Sequence, residues 1–240
     1  MLQSRYLGTV SYDTAYRLQR NLWRKRVAGE IPDQLLLLEH PPVITLGRSA
    51  RKEHLLASEE RLECSGVQVV ETDRGGDVTY HGPGQLVGYP ILDLKPDRMD
   101  VLRYLRDLEE VLIRVLTEFG IPGSRKNGYT GVWIEDRKIA AIGVKISRWV
   151  TYHGFALNVS TDLSAFDLIV SCGIRDVRVT SMERELGYSP GIEEVVQMAA
   201  NKMNQIFGGD QQTSRLKDSS FKIRNADHSR AIRADSALTL

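Results

Sequence analysis

"RGGDVTYHGPGQLVGYP", residues 74–90, gathers five glycines around one histidine, His81, behind a leading arginine, Arg74. Glycine at this density lets a backbone come very close to a neighbour, or take up positive φ where other residues clash. Strand-like sequence flanks the stretch, with "VQVVET" (67–72) before it and "LVGYPILDL" (86–94) running out of it.

The familiar glycine-rich ligand sites do not fit. A dinucleotide fingerprint needs G-x-G-x-x-G followed by a helix, but Gly82, Gly84 and Gly88 are spaced one residue too wide and a strand-like segment follows. A phosphate loop needs Lys-Ser or Lys-Thr after its last glycine, and Gln85-Leu86 stands there. Zinc needs three or four ligands, and His81 has no His, Cys or carboxylate two to four residues on. No metal is expected, and only a meeting of His81 with His153 in space would leave one open. Two readings remain: a wall of a cleft for an apolar or carbonyl-bearing ligand, or a tight turn between strands.

Outward from this stretch the chain alternates helices with directly linked strands. Ser11 is placed to cap a helix over 11–28, with Ala15, Leu18 and Leu22 on one face. "QLLLLEH" (34–40) and "PVITLG" (42–47) read as strands, the first apolar enough to be buried on both faces. Ser58 opens a short helix, in which Cys64 is expected to pack in the core beside Leu62. Asp100 caps a strongly amphipathic helix that Gly120 ends. "GVWIE" and "KIAAIGVKIS" form a hairpin turning at Asp136-Arg137, "TYHGFALNVS" (151–160) adds a strand, and residues 192–207 form a last helix. The fold class is therefore α/β, a mixed sheet with flanking helices. Residues 1–208 read as one domain, and 209–240 as a polar C-terminal extension, loosely ordered, without apolar periodicity.

A net charge of +1 gives no global field for nucleic acid or an anionic membrane. The longest apolar run, four leucines, is far too short to span a bilayer, and the N-terminus shows no signal-peptide run. With two cysteines there is no disulfide framework, which points to the cytoplasm; a monomer is the default. Arg17, Arg20, Arg24, Lys25 and Arg26 cluster on or beside the first helix, either as a docking face for an acidic partner or as a solvated surface.

Cys172 ends the apolar run of "FDLIVSCGIRDVRVTSM" and precedes Gly173. It is either an inert core cysteine or a nucleophile. A nucleophile requires thiolate, hence a cation or base nearby. Lys138, Lys145, His81 and His153 are the candidates, and spacing does not choose among them.

Three segments together resemble the lipoyl(octanoyl) transferases: residues 74–94, "GVWIEDRKIAAIGVKISRWVTYHGFALNVS" (131–160), and 166–182, in that family's order and spacing. The resemblance covers roughly residues 5 to 208 and implies the fold of biotin and lipoate protein ligases, related to class II synthetase catalytic domains. It implies transfer of an octanoyl or lipoyl group from acyl carrier protein, through a cysteine thioester, to a lysine of lipoyl domains in 2-oxoacid dehydrogenases and the glycine cleavage H protein. It puts the catalytic roles on Cys172 and Lys138, leaving Lys145 unmatched. Acyl and carbonyl contacts fall on Arg74, Gly75, Gly76, Asp77, Val78, Thr79, Tyr80 and His81, on Ala141, Ile142 and Gly143, and on Gly154, Phe155 and Ala156. No cofactor is implied, because thioester to amide is downhill without a nucleotide. On this reading the amides of Gly173 or of 141–143 hold the oxyanion, and a bulky residue at Gly76 blocks acyl loading without disturbing the fold. The alternatives are an ATP-dependent lipoate–protein ligase of the same fold, which does not need Cys172, a non-catalytic carrier-binding module, and a cysteine hydrolase.

Overall fold

Leu35, Leu36, Leu37 and Leu38 are all buried, yet they enter two different cores. Successive side chains of a strand leave opposite faces, so a strand covered on both sides carries an unbroken apolar run. The structure is a computed structural model that describes residues 2–170, 173 and 177–208. The leucine run is β2 (Gln34–Glu39), preceded by β1 (Gln3–Thr9) and α1 (Tyr12–Val27). Then come β3 (Val43–Leu46), α2 (Glu59–Cys64), β4 (Gln68–Glu71), β5 (Val78–His81) and β6 (Gln85–Ile91). The second half holds α3 (Val101–Glu118), β7 (Ser124–Lys126), β8 (Tyr129–Ile134), β9 (Arg137–Ser147), β10 (Val150–Asn158), β11 (Arg178–Val179), α4 (Met182–Leu186) and α5 (Ile192–Phe207).

Eight strands form the main sheet in the order β1-β2-β6-β10-β9-β8-β7, with β11 pairing β9. It is mixed: β1 runs parallel to β2, and β11 to β9, while the other neighbours are antiparallel. One face carries α3 and α5, packed through Leu108, Leu112, Val115, Ala199 and Met203 onto Leu35, Leu37, Leu86 and Leu157. The other face carries α1, with Ala15 against Leu36, Leu38, Val87 and Ile91. A smaller sheet, β4-β3-β5, has its own core around Ile44, Val78, Tyr80 and Phe166. Full burial of each such side chain contributes roughly 1.5–3 kcal/mol.

The mixed α/β architecture matches the expectation from sequence, with three local differences. Strands 34–40 and 42–47, adjacent in sequence, belong to different sheets. Part of the glycine-rich stretch is itself a strand, β5, which pairs antiparallel with β3. The hairpin turns at Glu135-Asp136, one residue early, because Glu135 takes a left-handed backbone (φ 55°). Cys64 is also corrected: it is exposed, and Leu62 is the residue of α2 that packs inward. Among the described residues no helix is long and apolar enough to cross a membrane.

Candidate active site

The segment 74–76 is a strap laid across the middle of the main sheet, and missing side chains on both sides let it lie there. A Cβ on Gly143 would come within 2.9 Å of Gly75 O, and one on Gly47 within 2.2 Å of Gly76 O. Gly75 N–H donates to Val144 O (2.9 Å), while Arg48 and Ser49 N–H donate to Arg74 O and Gly76 O (3.0 and 3.1 Å). Arg74 folds back on the second sheet: Nη2 donates to Thr45 O (2.6 Å) and Nε to Thr45 Oγ1 (3.1 Å). Its guanidinium thereby staples strap to strand, on top of any contact with a ligand.

Asp73, just before the strap, ties it to β10. His153 Nε2 lies 2.9 Å from Asp73 Oδ1, Tyr16 OH donates to that oxygen (3.2 Å), and Tyr152 OH donates to Oδ2. Burial pushes the Asp73 carboxyl up, but the bonds from His153 and Tyr152 outweigh it and hold the group well below the usual carboxylate range. His153 sits in left-handed backbone (φ 55°) where β10 leaves β6. Pro90 on β6 has no N–H to pair there; Thr151 Oγ1 instead donates to Pro90 O (2.7 Å) and accepts from Leu92 N–H (3.0 Å).

Between strap and sheet lies a cavity of about 280 Å³, near the lower bound of roughly 300 Å³ for small-ligand pockets. Every contact residue expected from sequence lines it except Tyr80. In β5 alternate side chains leave opposite faces, so Thr79 and His81 reach the cavity while Tyr80 turns to the smaller core, its ring 5.7 Å from that of Phe166. Tyr12, Tyr89 and Gly128–Thr130 complete the wall and were not anticipated. "NG" at 127–128 is a hairpin-turn signal and would have flagged that corner.

Lys138, in β9, is buried and lines the cavity, with Nζ 5.1 Å from the centre of the Trp133 ring. Gly131 makes room for it: a Cβ there would stand 2.7 Å from Lys138 Cε. Lys145, seven residues along the strand, is not on the wall. Cys172 lies outside the described residues. Its neighbour Gly173 is described and rests on Asp77, which lines this cavity and also a larger cleft beyond it.

The backbone distinguishes the two segments expected to offer an oxyanion donor. Gly173 N–H already donates to Val170 O (3.0 Å). Val144 O points away from β10 to meet Gly75, and alternation along β9 turns the N–H of Ile142 to that same open edge. Ile142 therefore offers the candidate amide, on a cavity wall.

His81 and His40 lie under the cavity with ring centres 5.8 Å apart. Burial pushes His81 down to about 3 and His40 down to about 4, so both are neutral. Among the described residues no cluster of three His, Cys, Asp or Glu side chains is arranged to hold a metal ion.

Residues 11–204 match the model of the lipoyl protein ligase A/B catalytic domain. The chain belongs to that family. Curated relatives named octanoyltransferase include one from Koribacter versatilis, 55% identical over 86% of this chain and 84% of its own length. Another, from Rubrobacter xylanophilus, is 56% identical over 84% and 91%. Among solved structures, the bi-partite lipoate protein ligase of Thermoplasma acidophilum superposes with a TM-score of 0.66 at 16% identity, covering 91% of this chain and 89% of its own. A biotin protein ligase from Aquifex aeolicus gives 0.51 at 15% identity, covering 87% and 70%. These likenesses establish the biotin and lipoate ligase fold.

The basic residues around α1 divide: Arg20 and Arg26 are engaged within the molecule, while Arg17, Arg24 and Lys25 are exposed. Arg20 donates to Tyr152 OH (2.7 Å) and lies over the Trp23 ring. Arg26 is paired with Asp33 (2.7 Å) and Asp93 (3.5 Å), and Arg17 with Asp13 (2.6 Å).

Proposed function

We propose that this protein moves an octanoyl or lipoyl group from acyl carrier protein to a lysine of lipoyl domains, such as those of 2-oxoacid dehydrogenases and the glycine cleavage H protein, through a thioester on Cys172. Residues 1–208 form the catalytic domain, 209–240 an extension, and the protein acts as a cytoplasmic monomer. One observation carries the reading. Two of the three resembling blocks, 74–94 and 131–160, converge on one cavity that has a buried lysine in its wall and a glycine strap for a lid, and the third meets its rim where Gly173 rests on Asp77. Relatives above 50% identity carry the name octanoyltransferase, which supports the same acyl group.

In the first step the Cys172 thiolate attacks the carrier's thioester carbonyl. A new C–S bond forms, the carrier's C–S bond breaks, and the carrier leaves as a thiol after taking a proton. Lys138 as a cation favours the thiolate by charge attraction. In the second step a neutral lysine amine attacks the acyl-enzyme. The N–C bond forms, the C–S bond breaks, and the amine's proton reaches the departing sulfur, with Lys138 as shuttle. Ile142 N–H holds the oxyanion in both steps, worth about 10²–10³-fold in rate. Intact mass after incubation with octanoyl-acyl carrier protein tests the reading. The expected result is one octanoyl adduct on wild type, none on Cys172→Ser, and loss of the adduct when a lipoyl domain is added. ATP-dependent modification surviving in Cys172→Ser would replace the transferase with a ligase.

A further inference from the structure

The protonation pattern of His81 is fixed from a distance by two backbone carbonyls. Asn158 Nδ2 donates to Thr180 O (2.9 Å), which leaves Asn158 Oδ1 as acceptor. Gln85 Nε2 donates to that oxygen (2.9 Å) and to Tyr80 O (3.2 Å). A carbonyl cannot donate, so neither amide can be turned round without setting oxygen against oxygen. Gln85 Oε1 must then be the atom 2.7 Å from His81 Nδ1, and Nδ1 must carry the hydrogen. In a neutral imidazole the other nitrogen is a bare lone pair. Among the described residues the ring's one side-chain hydrogen bond is that made by Nδ1, and the ring lines the cavity.

A bare Nε2 cannot donate to an oxyanion, so His81 is not part of an oxyanion hole. It can only accept. Once Cys172 is acylated its sulfur carries no hydrogen, and the incoming donor is the acceptor lysine. We propose that His81 is a substrate-orienting residue for the second half-reaction: Nε2 accepts one N–H of the neutral lysine amine and so turns that nitrogen's own lone pair toward the thioester carbonyl. This rests on the acyl-transfer reading above.

His81 keeps no proton. The amine nitrogen bonds the carbonyl carbon, the C–S pair leaves on sulfur, and the amine's proton ends on Cys172. Burial and the neighbouring rings of His40 and His153, with the Arg74 cation, keep His81 uncharged, so it neither repels a lysine nor traps its proton. Holding an attacking atom in line is worth about 10²-fold when lost.

Ring ¹⁵N NMR of the histidine-labelled wild-type protein at neutral pH reads the tautomer directly. A protonated Nδ1 and bare Nε2 on His81 are expected; the reverse pattern overturns the proposal. Single-turnover rates then separate the two half-reactions. In His81→Phe, transfer from acyl-enzyme to lipoyl domain should fall about 10²-fold while loading falls far less. His81→Gln, which restores an acceptor oxygen, should recover about tenfold of the transfer rate. Equal losses in loading and transfer, or an unchanged transfer rate, would overturn the role. Wild-type protein that takes no octanoyl from the carrier would sink the acyl-transfer reading, and the amine role with it, whatever the tautomer.

Discussion

His54 Nδ1 lies 2.7 Å from Asp77 Oδ2, and a Cβ on Gly173 would stand 2.3 Å from that same oxygen. Val170 N–H also donates to His54 O (2.8 Å), so the two residues flanking 171–172 are both seated on the His54–Asp77 pair. The pair stands between the cavity under the strap and the larger cleft lined by Arg51, Arg137 and Arg178. It is thus the fixed base on which both residues flanking 171–172 rest.

Gly173→Ala should therefore impair acyl loading. Gly173 has φ +67°, a conformation costing other residues roughly 1–2 kcal/mol, and the added methyl collides with the Asp77 carboxylate. The expected result is at least a tenfold slower octanoyl adduct, followed by intact mass, with the urea midpoint lowered only slightly. Loading at the wild-type rate would show that the pair does not position Cys172.

Lys138→Met should raise the pKa of the Cys172 thiol, because removal of a cation disfavours the thiolate. Alkylation by iodoacetamide at neutral pH should slow about tenfold for each pH unit of the shift. Cys64 is exposed and would be alkylated too, so the measurement belongs in a Cys64→Ser background. Identical alkylation rates with and without Lys138 would remove it from the nucleophile's activation.

The buried histidines dictate how stability responds to acid. His40 is held down to about 4 and His81 to about 3, both chiefly by burial, and the unfolded value is about 6.5. Between these limits the unfolded chain binds protons that the folded protein does not, so stability rises with pH and falls on acidification. Each histidine contributes a slope of about 1.4 kcal/mol per pH unit in the window from about 6 down to 4. Asp73, whose carboxyl is depressed, adds its loss only below about 4. Urea titrations should therefore show the midpoint dropping from pH 6.5 to 4.5, and His40→Gln should flatten the curve. A midpoint constant across that range would contradict neutral burial of either ring.

What was legible in the sequence was what local chemistry determines. The Asp100 side chain accepts Arg103 N–H (3.0 Å) at the start of α3, and the apolar stripe of α5 runs over 192–207 as expected, because caps and helical period act within a few residues. β5 was not legible: its four residues pair with β3, more than thirty positions away, and only that ladder makes them a strand. The same holds for the site. Glycines announced a close approach, but not that Gly47 and Gly143 sandwich the strap, since each owes its identity to backbone distant in sequence. Tyr80 illustrates the limit of motif transfer, because one step of strand alternation takes it out of the cavity that its neighbours line.

The strap itself yields a graded test. Bulk at Gly76 is not a clean probe of the cavity, because φ +89° strains any other residue there before it meets a ligand. Gly75 and Gly143 separate the effects. A Cβ on Gly75 meets Val144 O at 3.3 Å without any positive φ, a contact relieved by a shift of a few tenths of an ångström. A Cβ on Gly143 meets Gly75 O at 2.9 Å and Arg74 Cδ at 3.2 Å, so the strap must lift from the sheet. Lifting it lengthens the Gly75 N–H···O bond to Val144, worth about 1 kcal/mol, and opens the cavity to water. Gly75→Ala should keep loading within a few-fold of wild type, whereas Gly143→Ala should slow it at least tenfold with a stability loss of about 1–3 kcal/mol. Single-turnover loading and urea unfolding on the two variants measure both quantities. Equal loading by the two would mean that the seating of the strap on Gly143 does not shape the acyl cavity.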